Sequence, residues 1–345
     1  MIGRESATTG ADAPAGTHPQ PRSGPGLFAK LIPAEAAGRT DLRVGYIFAI
    51  MAALASGLAV WVNSIGVRTF TSPVLYTTLK NAFVGVVLIM PLLFSSRIRN
   101  EYRSLTGREW LWLLGLALTG GSFAFVFEFT GLRMTTASTG ALIGHFQYIL
   151  VGVIAVAFLR ERLEPAMWAG FVVLFIGLLF ASGLGALQWN QGAILIAIAT
   201  VMYAVSWVVA RRLLKRHSTL MVYTGLMSMG VVMLALYAAA TGQFAELGSL
   251  GATQWHFILL VGVILLVNNG VTLTAMRHAP VAAVTAIGTS APIITTLLQV
   301  GTTGKLVLTP LDGVGLLILL MGAAAVLIVG IRSDTRQLDV GRSTT

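Results

Sequence analysis

The chain is poor in charge and contains no cysteine at all. Without thiols it cannot form disulfides or use thiolate chemistry. Only 10% of its residues are charged, whereas a soluble domain carries roughly 25%. The charges lie between apolar runs of about 18 to 23 residues, the length of an α-helix that crosses a hydrocarbon core about 30 Å thick. The composition therefore excludes a water-soluble fold and predicts an all-α integral membrane protein.

Motifs for enzymatic chemistry are also missing. The sequence has no phosphate-binding G-x-x-x-x-G-K-[ST] loop and no His, Asp and Glu grouping with metal-ligand spacing. The stretch Gly288-Thr-Ser290-Ala imitates the Gly-x-Ser turn of intramembrane serine proteases, but no histidine follows His278 to act as general base. We therefore expect no enzyme, no cofactor or metal, and no ATP-driven step on this chain.

Hydrophobic residues make up 56% of the chain, and they are grouped into ten apolar runs. The first 43 residues are rich in Pro, Gly, Ser and Thr, which predicts a disordered tail, and residues 332–345 form a second tail. The ten predicted transmembrane helices span residues 44–66, 73–94, 110–132, 135–158, 165–183, 191–210, 219–241, 255–276, 280–301 and 312–331.

The basic residues predict how these helices are oriented. With ten spans both termini lie on one side, and 19 of the 23 Lys and Arg residues fall on that side, against three on the other. By the positive-inside rule both termini are cytoplasmic, in a plasma or inner membrane. The net charge of +10 could also attract nucleic acid, but the charge is concentrated at helix ends, so we expect no nucleic-acid partner.

The two halves of the chain resemble each other. GLRMTTASTGALIG (131–144) aligns with AMRHAPVAAVTAIG (275–288), which places Arg133 on Arg277, and a similar offset places Trp61 on Trp207. Each half holds five helices, and an odd number forces the second copy to enter the membrane from the opposite side. The sequence therefore predicts two inverted five-helix repeats, 44–183 and 191–331, an arrangement found in secondary transporters. Chance similarity between helices rich in Ala, Gly and Leu is the alternative.

The run FLRERLEPAMWAGFVVLFIGLLFASG (158–183) resembles the signature of EamA-type members of the drug/metabolite transporter superfamily. The second half repeats it as TGKLVLTPLDGVGLLILLMG (303–322), and Pro292 stands where the ninth helix of that family carries a proline. The resemblance covers residues 44–331. It implies a ten-helix basket with a central cavity, lined mainly by helices one, three, four, six, eight and nine.

Two positions depart from the family pattern. Arg160 replaces the usual glycine before Glu161, and Lys305 stands where the second copy would have a glutamate. These changes concern the subfamily and the substrate more than the fold.

Charged residues inside spans are costly, so they are the first candidates for function. Lys80 lies about 10 Å into helix two, at about 1.5 Å per residue, and resembles a basic residue of many family members. It would hold a substrate carboxylate or pair with Glu128, unless it snorkels outward. Glu128 lies near the end of helix three and would couple transport to protons, because an apolar cavity favours the protonated carboxyl. A neighbouring Lys80 would oppose this, and pairing of Glu128 with Arg133 is the structural alternative.

The middle of helix four carries His145, which suits ligand contact or proton relay but could equally bond a neighbouring helix. Helices eight and nine carry stripes of amide and hydroxyl side chains that should face water, substrate or one another. Aromatic side chains could stack on an apolar solute, although Trp is also a common interfacial anchor. The predicted substrate-binding residues are Trp61, Lys80, Phe125, His145, Tyr148, Tyr203, Trp207, Asn268, Thr272 and Thr289, with Glu128 and His145 as proton-coupling candidates.

Together these patterns predict a secondary transporter of a small organic solute by alternating access, with export of an amino acid or related metabolite favoured by the resemblance. The partners are then the solute, the lipid bilayer and, as a further alternative, protons or a second copy of the chain as a homodimer. A non-transporting membrane scaffold or receptor, and an exporter of amphipathic drugs or nucleosides, stay open as alternatives.

Overall fold

The computed structural model describes residues 34–135, 137–159, 165–181, 189–303 and 309–343. The chain divides into two units, Met1–Gly38 and Arg39–Thr345, and the first is described only as the start of a helix. Residues 1–33 of the predicted tail, the turn at Arg160 and Glu161, and Lys305 lie outside the described residues.

All regular secondary structure in the described part of Arg39–Thr345 is helical, with no strand, which confirms the predicted all-α class. Short 3₁₀ segments cover Val67–Thr69 and Gln243–Ser249, and Ala117–Ser122 forms a π-helical segment. The α-helices are α1 Ala34–Gly66, α2 Pro73–Phe94, α3 Ser96–Arg103, α4 Gly107–Leu116, α5 Phe123–Met134, α6 Ala137–Leu159, α7 Pro165–Ala181, α8 Gln191–Leu214, α9 Thr219–Ala240, α10 Ala252–His278, α11 Val281–Gly288, α12 Ala291–Thr303 and α13 Pro310–Ser343.

Nine helical stretches in the described residues are long and apolar enough to cross a bilayer. One of them combines α4, the π-helical segment and α5, and another combines α11 and α12. A further apolar helix, α7, has only 17 described residues, whereas each of those nine stretches has at least 18. The chain is therefore a multi-pass membrane protein, while ten spans and their inversion stay predictions.

Two helices extend beyond their predicted bounds. α1 begins at Ala34, ten residues before the predicted first span, because the stretch AEAAGRT consists mostly of residues that tolerate a helix. α13 continues to Ser343 through the predicted C-terminal tail.

Polar caps fix where several helices begin. The Ser72 hydroxyl accepts the Leu75 N–H before α2 at 3.0 Å, and the Ser218 hydroxyl accepts the Met221 N–H before α9 at 3.2 Å. Before α4, Thr106 and Glu109 form a reciprocal capping box. Each such cap contributes about 1 kcal/mol by satisfying amide groups at a helix start.

The bundle turns apolar side chains outward as well as inward. Val86, Leu236 and Leu317 are each more than half exposed on spanning helices, as expected when the solvent is lipid. Inside, helices of the first half pack on helices of the second: α2 on α9, α6 on α11, and α7 on α13.

Some of these helix contacts are made through glycine. A Cβ built on Gly230 of α9 would lie 2.5 Å from the carbonyl oxygen of Gly121, and one built on Gly121 would lie 2.6 Å from the Leu226 oxygen. The backbones of α9 and the π-helical segment therefore touch directly, which only small residues allow. This contact packs the predicted third span, which contains the π-helical segment, against the second half of the chain.

Candidate substrate site

The ammonium group of Lys80 lies inside the bundle, at a residue only 2% exposed. Its Nζ donates a hydrogen bond to Asn63 Oδ1 at 3.0 Å. Three rings surround the same nitrogen, with centroids at 4.5 Å for Phe129, 5.1 Å for Phe125 and 5.2 Å for Tyr76. Cation–π attraction of this kind is worth about 2 kcal/mol or more when the pair is desolvated. Lys80 therefore points into the protein rather than snorkelling outward.

Asn63 of α1 holds this arrangement in register. Its Oδ1 also accepts the Tyr76 hydroxyl at 2.8 Å, while its Nδ2 donates to the Ala59 carbonyl of its own helix at 2.7 Å. The side-chain oxygen thus receives two donors from α2, and the amide nitrogen is tied to α1. An amide fixed at both ends links these two helices at the level of the lysine.

The carboxylate of Glu128 lies on α5, within electrostatic reach of Lys80. Its Oε2 accepts the Tyr203 hydroxyl of α8 at 2.7 Å. The Phe125 ring packs edge-on against Tyr203 at 5.5 Å and also contacts Lys80, so it lies between Lys80 and the hydrogen-bond partner of Glu128. Arg133, the alternative partner of Glu128, donates instead to the Thr71 carbonyl at 2.7 Å.

A second polar group joins α1, α6 and α11. The hydroxyls of Ser56 and Tyr148 are 3.4 Å apart, and the His145 ring centroid is 6.2 Å from that of Tyr148. The Tyr148 ring lies directly on the backbone of Gly288, where a built Cβ would be 3.0 Å away.

The remaining predicted residues have more local surroundings. Trp61 packs on the apolar cluster that contains Tyr76 and Phe129, and Trp207 packs on the main core. The hydroxyls of the two threonines bond to carbonyls of their own helices, Thr272 to Asn268 at 2.7 Å and Thr289 to Ala286 at 2.5 Å. The side-chain oxygen of Asn268 is buried and has no hydrogen-bond partner in the part of the chain that the structure describes.

Tyr76 and Phe129 touch the lysine although the sequence did not single them out. Each lies four residues from a predicted site residue, Tyr76 from Lys80 and Phe129 from Phe125, so each shares a helix face with it. That spacing could have identified them, but large apolar residues at helical spacing are ordinary core residues in most helices.

The arrangement offers a buried cation, a carboxylate with a hydroxyl partner, and aromatic faces between them, contributed by α1, α2, α5, α6 and α8. These groups can bind both charges of a small solute and move a proton at the Glu128 carboxyl. Two cavities, of about 480 and 440 Å³, lie elsewhere and contain none of the predicted site residues.

Comparison with known proteins gives the family. The model of the EamA-like transporter family matches residues 43–183 and again residues 190–328. An uncharacterized transporter of Archaeoglobus fulgidus is 25% identical over 169 residues, which make up 47% of this chain and 57% of the relative, so the match spans little more than half of that protein. A solved crystal structure, described only as that of a protein, has the same fold, with a TM-score of 0.64, 19% identity, and coverage of 85% of this chain and 98% of that one. Since the family model covers both halves of the sequence, this membrane protein belongs to the EamA-like transporter family.

Proposed function

We propose that the protein carries a small zwitterionic solute, an amino acid or a close relative, across the membrane by alternating access. The observation that supports this best is that the Phe125 ring contacts both Lys80 of α2 and Tyr203 of α8, whose hydroxyl donates to the Glu128 carboxylate of α5. Burying charge in a membrane protein is costly, and such groups are retained where they serve a ligand or ion. A solute carboxylate would take the place of the Asn63 oxygen on Lys80, while its ammonium group approaches Glu128.

The same geometry supports proton coupling. When Glu128 is ionised, Lys80 and the Tyr203 hydroxyl stabilise it, and when it is protonated, its charge no longer attracts a bound ammonium group. Binding of the ammonium group and binding of a proton at this one carboxyl would then exclude each other, so uptake of the proton accompanies release of the solute. We propose this competition as the coupling step.

The packing of the two halves supports two related repeats, and the odd number of five spans in each favours their inversion. Under the predicted alignment, the second and seventh spans are counterparts, as are the fourth and ninth, and the fifth and tenth. In the structure these pairs are α2 and α9, α6 and α11 with α12, and α7 and α13. In the structure α2 contacts α9, α6 contacts α11 and α7 contacts α13, so each packs on its own counterpart. Contacts of this kind are expected around a two-fold axis between repeats. We propose ten spans on this basis; the distribution of Lys and Arg supports cytoplasmic termini, and the family resemblance supports export as the direction.

Polar contacts close the bundle at both ends of this site. At one end, the two Glu246 oxygens accept the N–H groups of Thr71 and Ser72, each at 2.7 Å. At the other end, Glu101 Oε2 accepts the N–H and the hydroxyl of Ser218, at 3.1 and 2.6 Å. Each set joins the first half of the chain to the second. In the proposed cycle one set opens while the other stays closed.

A transport panel tests the proposal. Purified protein in liposomes is given labelled amino acids, nucleosides or cationic drugs, with and without a pH gradient. We expect at least one amino acid to enter faster than in protein-free liposomes, and to enter faster still with a proton gradient. Movement of nucleosides or drugs alone would establish the alternative substrate class, and no movement of any solute would support the scaffold alternative.

A further inference from the structure

A groove with both apolar and basic walls lies at the end of α2, beside α3 and α9. It encloses about 480 Å³, and its apolar walls include Leu92 and Leu93 of α2, Met229 of α9 and Trp110 of α4. Arg99 and Arg103 of α3 stand on its rim. The groove is separate from the substrate site, and none of the residues around Lys80 lines it.

Arg99, on the basic side of the groove, is hydrogen-bonded to the end of α2. Arg99 Nη1 donates to the carbonyls of Leu92 and Leu93, at 3.3 and 2.5 Å, which holds the guanidinium over the end of α2. A guanidinium has five N–H donors in a planar fork, and these two bonds use only one nitrogen. The remaining nitrogens suit an anion with several oxygens, such as a phosphate. Arg103, exposed one helical turn further, adds a second positive charge on the same rim.

The apolar side continues onto the outer surface of the bundle. Leu93 is 59% exposed and Phe94 is 82% exposed, so the groove opens towards acyl chains rather than towards water alone. Trp110, partly exposed and close to the Tyr102 ring, has the amphipathic character of residues at a membrane interface. Deeper in the groove the Ser228 hydroxyl is buried with no hydrogen-bond partner among the described residues. An ester carbonyl would supply the acceptor that this hydroxyl lacks.

We propose that this groove binds an anionic phospholipid, with its phosphate on Arg99 and Arg103 and one acyl chain along Leu93 and Met229. A free phosphate would satisfy the arginines but leave the apolar wall uncovered, and a zwitterionic lipid would fill the wall with a less favourable headgroup. The geometry therefore favours a lipid with net negative charge over both.

The position of α3 gives such a lipid a structural effect. Besides the Glu101 contact with Ser218, the Tyr102 hydroxyl donates to the Met221 carbonyl at 2.8 Å, so α3 is fastened to the start of α9. A lipid that holds Arg99 and Arg103 would hold α3 in this closed arrangement. It would therefore stabilise the protein whether or not the proposed solute is bound.

The experiment compares two double variants with equal net charge. Arg99→Gln with Arg103→Gln removes the rim, and Arg97→Gln with Arg108→Gln removes two arginines of the same segment that do not line the groove. Binding of phosphatidylglycerol, of phosphatidylcholine with the same chains, and of inorganic phosphate is measured on the purified protein by native mass spectrometry and by the shift in Tm. We expect selective binding of phosphatidylglycerol, weakened about fivefold for each rim arginine removed, and unchanged in the control pair.

Three outcomes would overturn the proposal. These are equal loss in both double variants, equal binding of the two lipids by the unaltered protein, and a Tm shift reproduced by phosphate alone. Because Arg99 also bonds the end of α2, the single variant Arg103→Gln is measured separately. It should keep its fold and still lose about fivefold in phosphatidylglycerol affinity, and wild-type affinity in this variant would also contradict the assignment. Transport plays no part in these measurements, so they are independent of the proposed function.

Discussion

Replacing Lys80 by glutamine is expected to lower carrier activity towards the proposed zwitterionic solute severely at low solute concentration. The substitution removes the positive charge beside Asn63 and the three rings, and it leaves Glu128 without its nearby cation. Loss of one member of a buried charge pair costs about 2–5 kcal/mol, so solute binding should weaken by at least about thirtyfold. Equilibrium binding and initial uptake rates in liposomes measure the effect.

Two controls separate recognition from folding. Lys215→Gln removes a lysine at the end of α8, away from the site, and should leave uptake unchanged. A solute analogue whose carboxylate is replaced by a neutral amide should bind weakly to the unaltered protein and lose little more in the Lys80 variant. If Lys80→Gln transports the zwitterion at the normal rate while correctly inserted, the lysine has no part in recognition.

Glu128→Gln is expected to uncouple transport from the pH gradient. Glutamine keeps an oxygen that can accept the Tyr203 hydroxyl, yet it cannot take up a proton. For one coupled proton a gradient of one pH unit supports at most about tenfold accumulation, since one unit corresponds to about 1.36 kcal/mol. The unaltered protein should approach this limit, and the variant should equilibrate the solute without accumulating it. Accumulation is measured with the gradient imposed and then collapsed by an ionophore.

Tyr203→Phe is the matched control for this second prediction. It removes the hydroxyl that bonds the carboxylate but keeps the titratable group, so accumulation should persist with an altered pH profile. Accumulation by Glu128→Gln at the normal level would assign the proton to another residue.

How far the sequence anticipates this structure is clearest in the predicted ninth span, residues 280–301. The sequence predicts one continuous helix there, whereas the structure ends α11 at Gly288 and begins α12 at Ala291. Pro292 carries no N–H and its ring collides with the preceding turn, so this residue alone could have predicted the break. Charge clusters and apolar runs are equally local, which is why most span boundaries fall within a few residues of the predicted ones.

Features that depend on contacts between helices could not be predicted in this way. The π-helical segment Ala117–Ser122 lies inside the predicted span 110–132, and the hydropathy of that span carries no sign of its altered hydrogen bonding. Helix α3 was not predicted, because only Ile98 of its eight residues is buried and the rest resembles a polar loop. The choice of Tyr203 rather than Arg133 as the partner of Glu128 depends on how α8 packs against α5.

The central claim is that a site between the two halves opens to water on each side of the membrane in turn. Because the chain has no cysteine, a single Ser56→Cys variant places one thiol beside Tyr148 without further changes, and Val86→Cys places a control thiol on an outward face of α2. The measurement is modification of each thiol by a membrane-impermeant reagent applied to one side of sealed vesicles at a time. The account predicts that the thiol of the Ser56→Cys variant reacts from both sides and is protected by transported solute, while the thiol of the Val86→Cys variant reacts from neither. Reaction of the Ser56→Cys variant from one side only, or from neither, would contradict it.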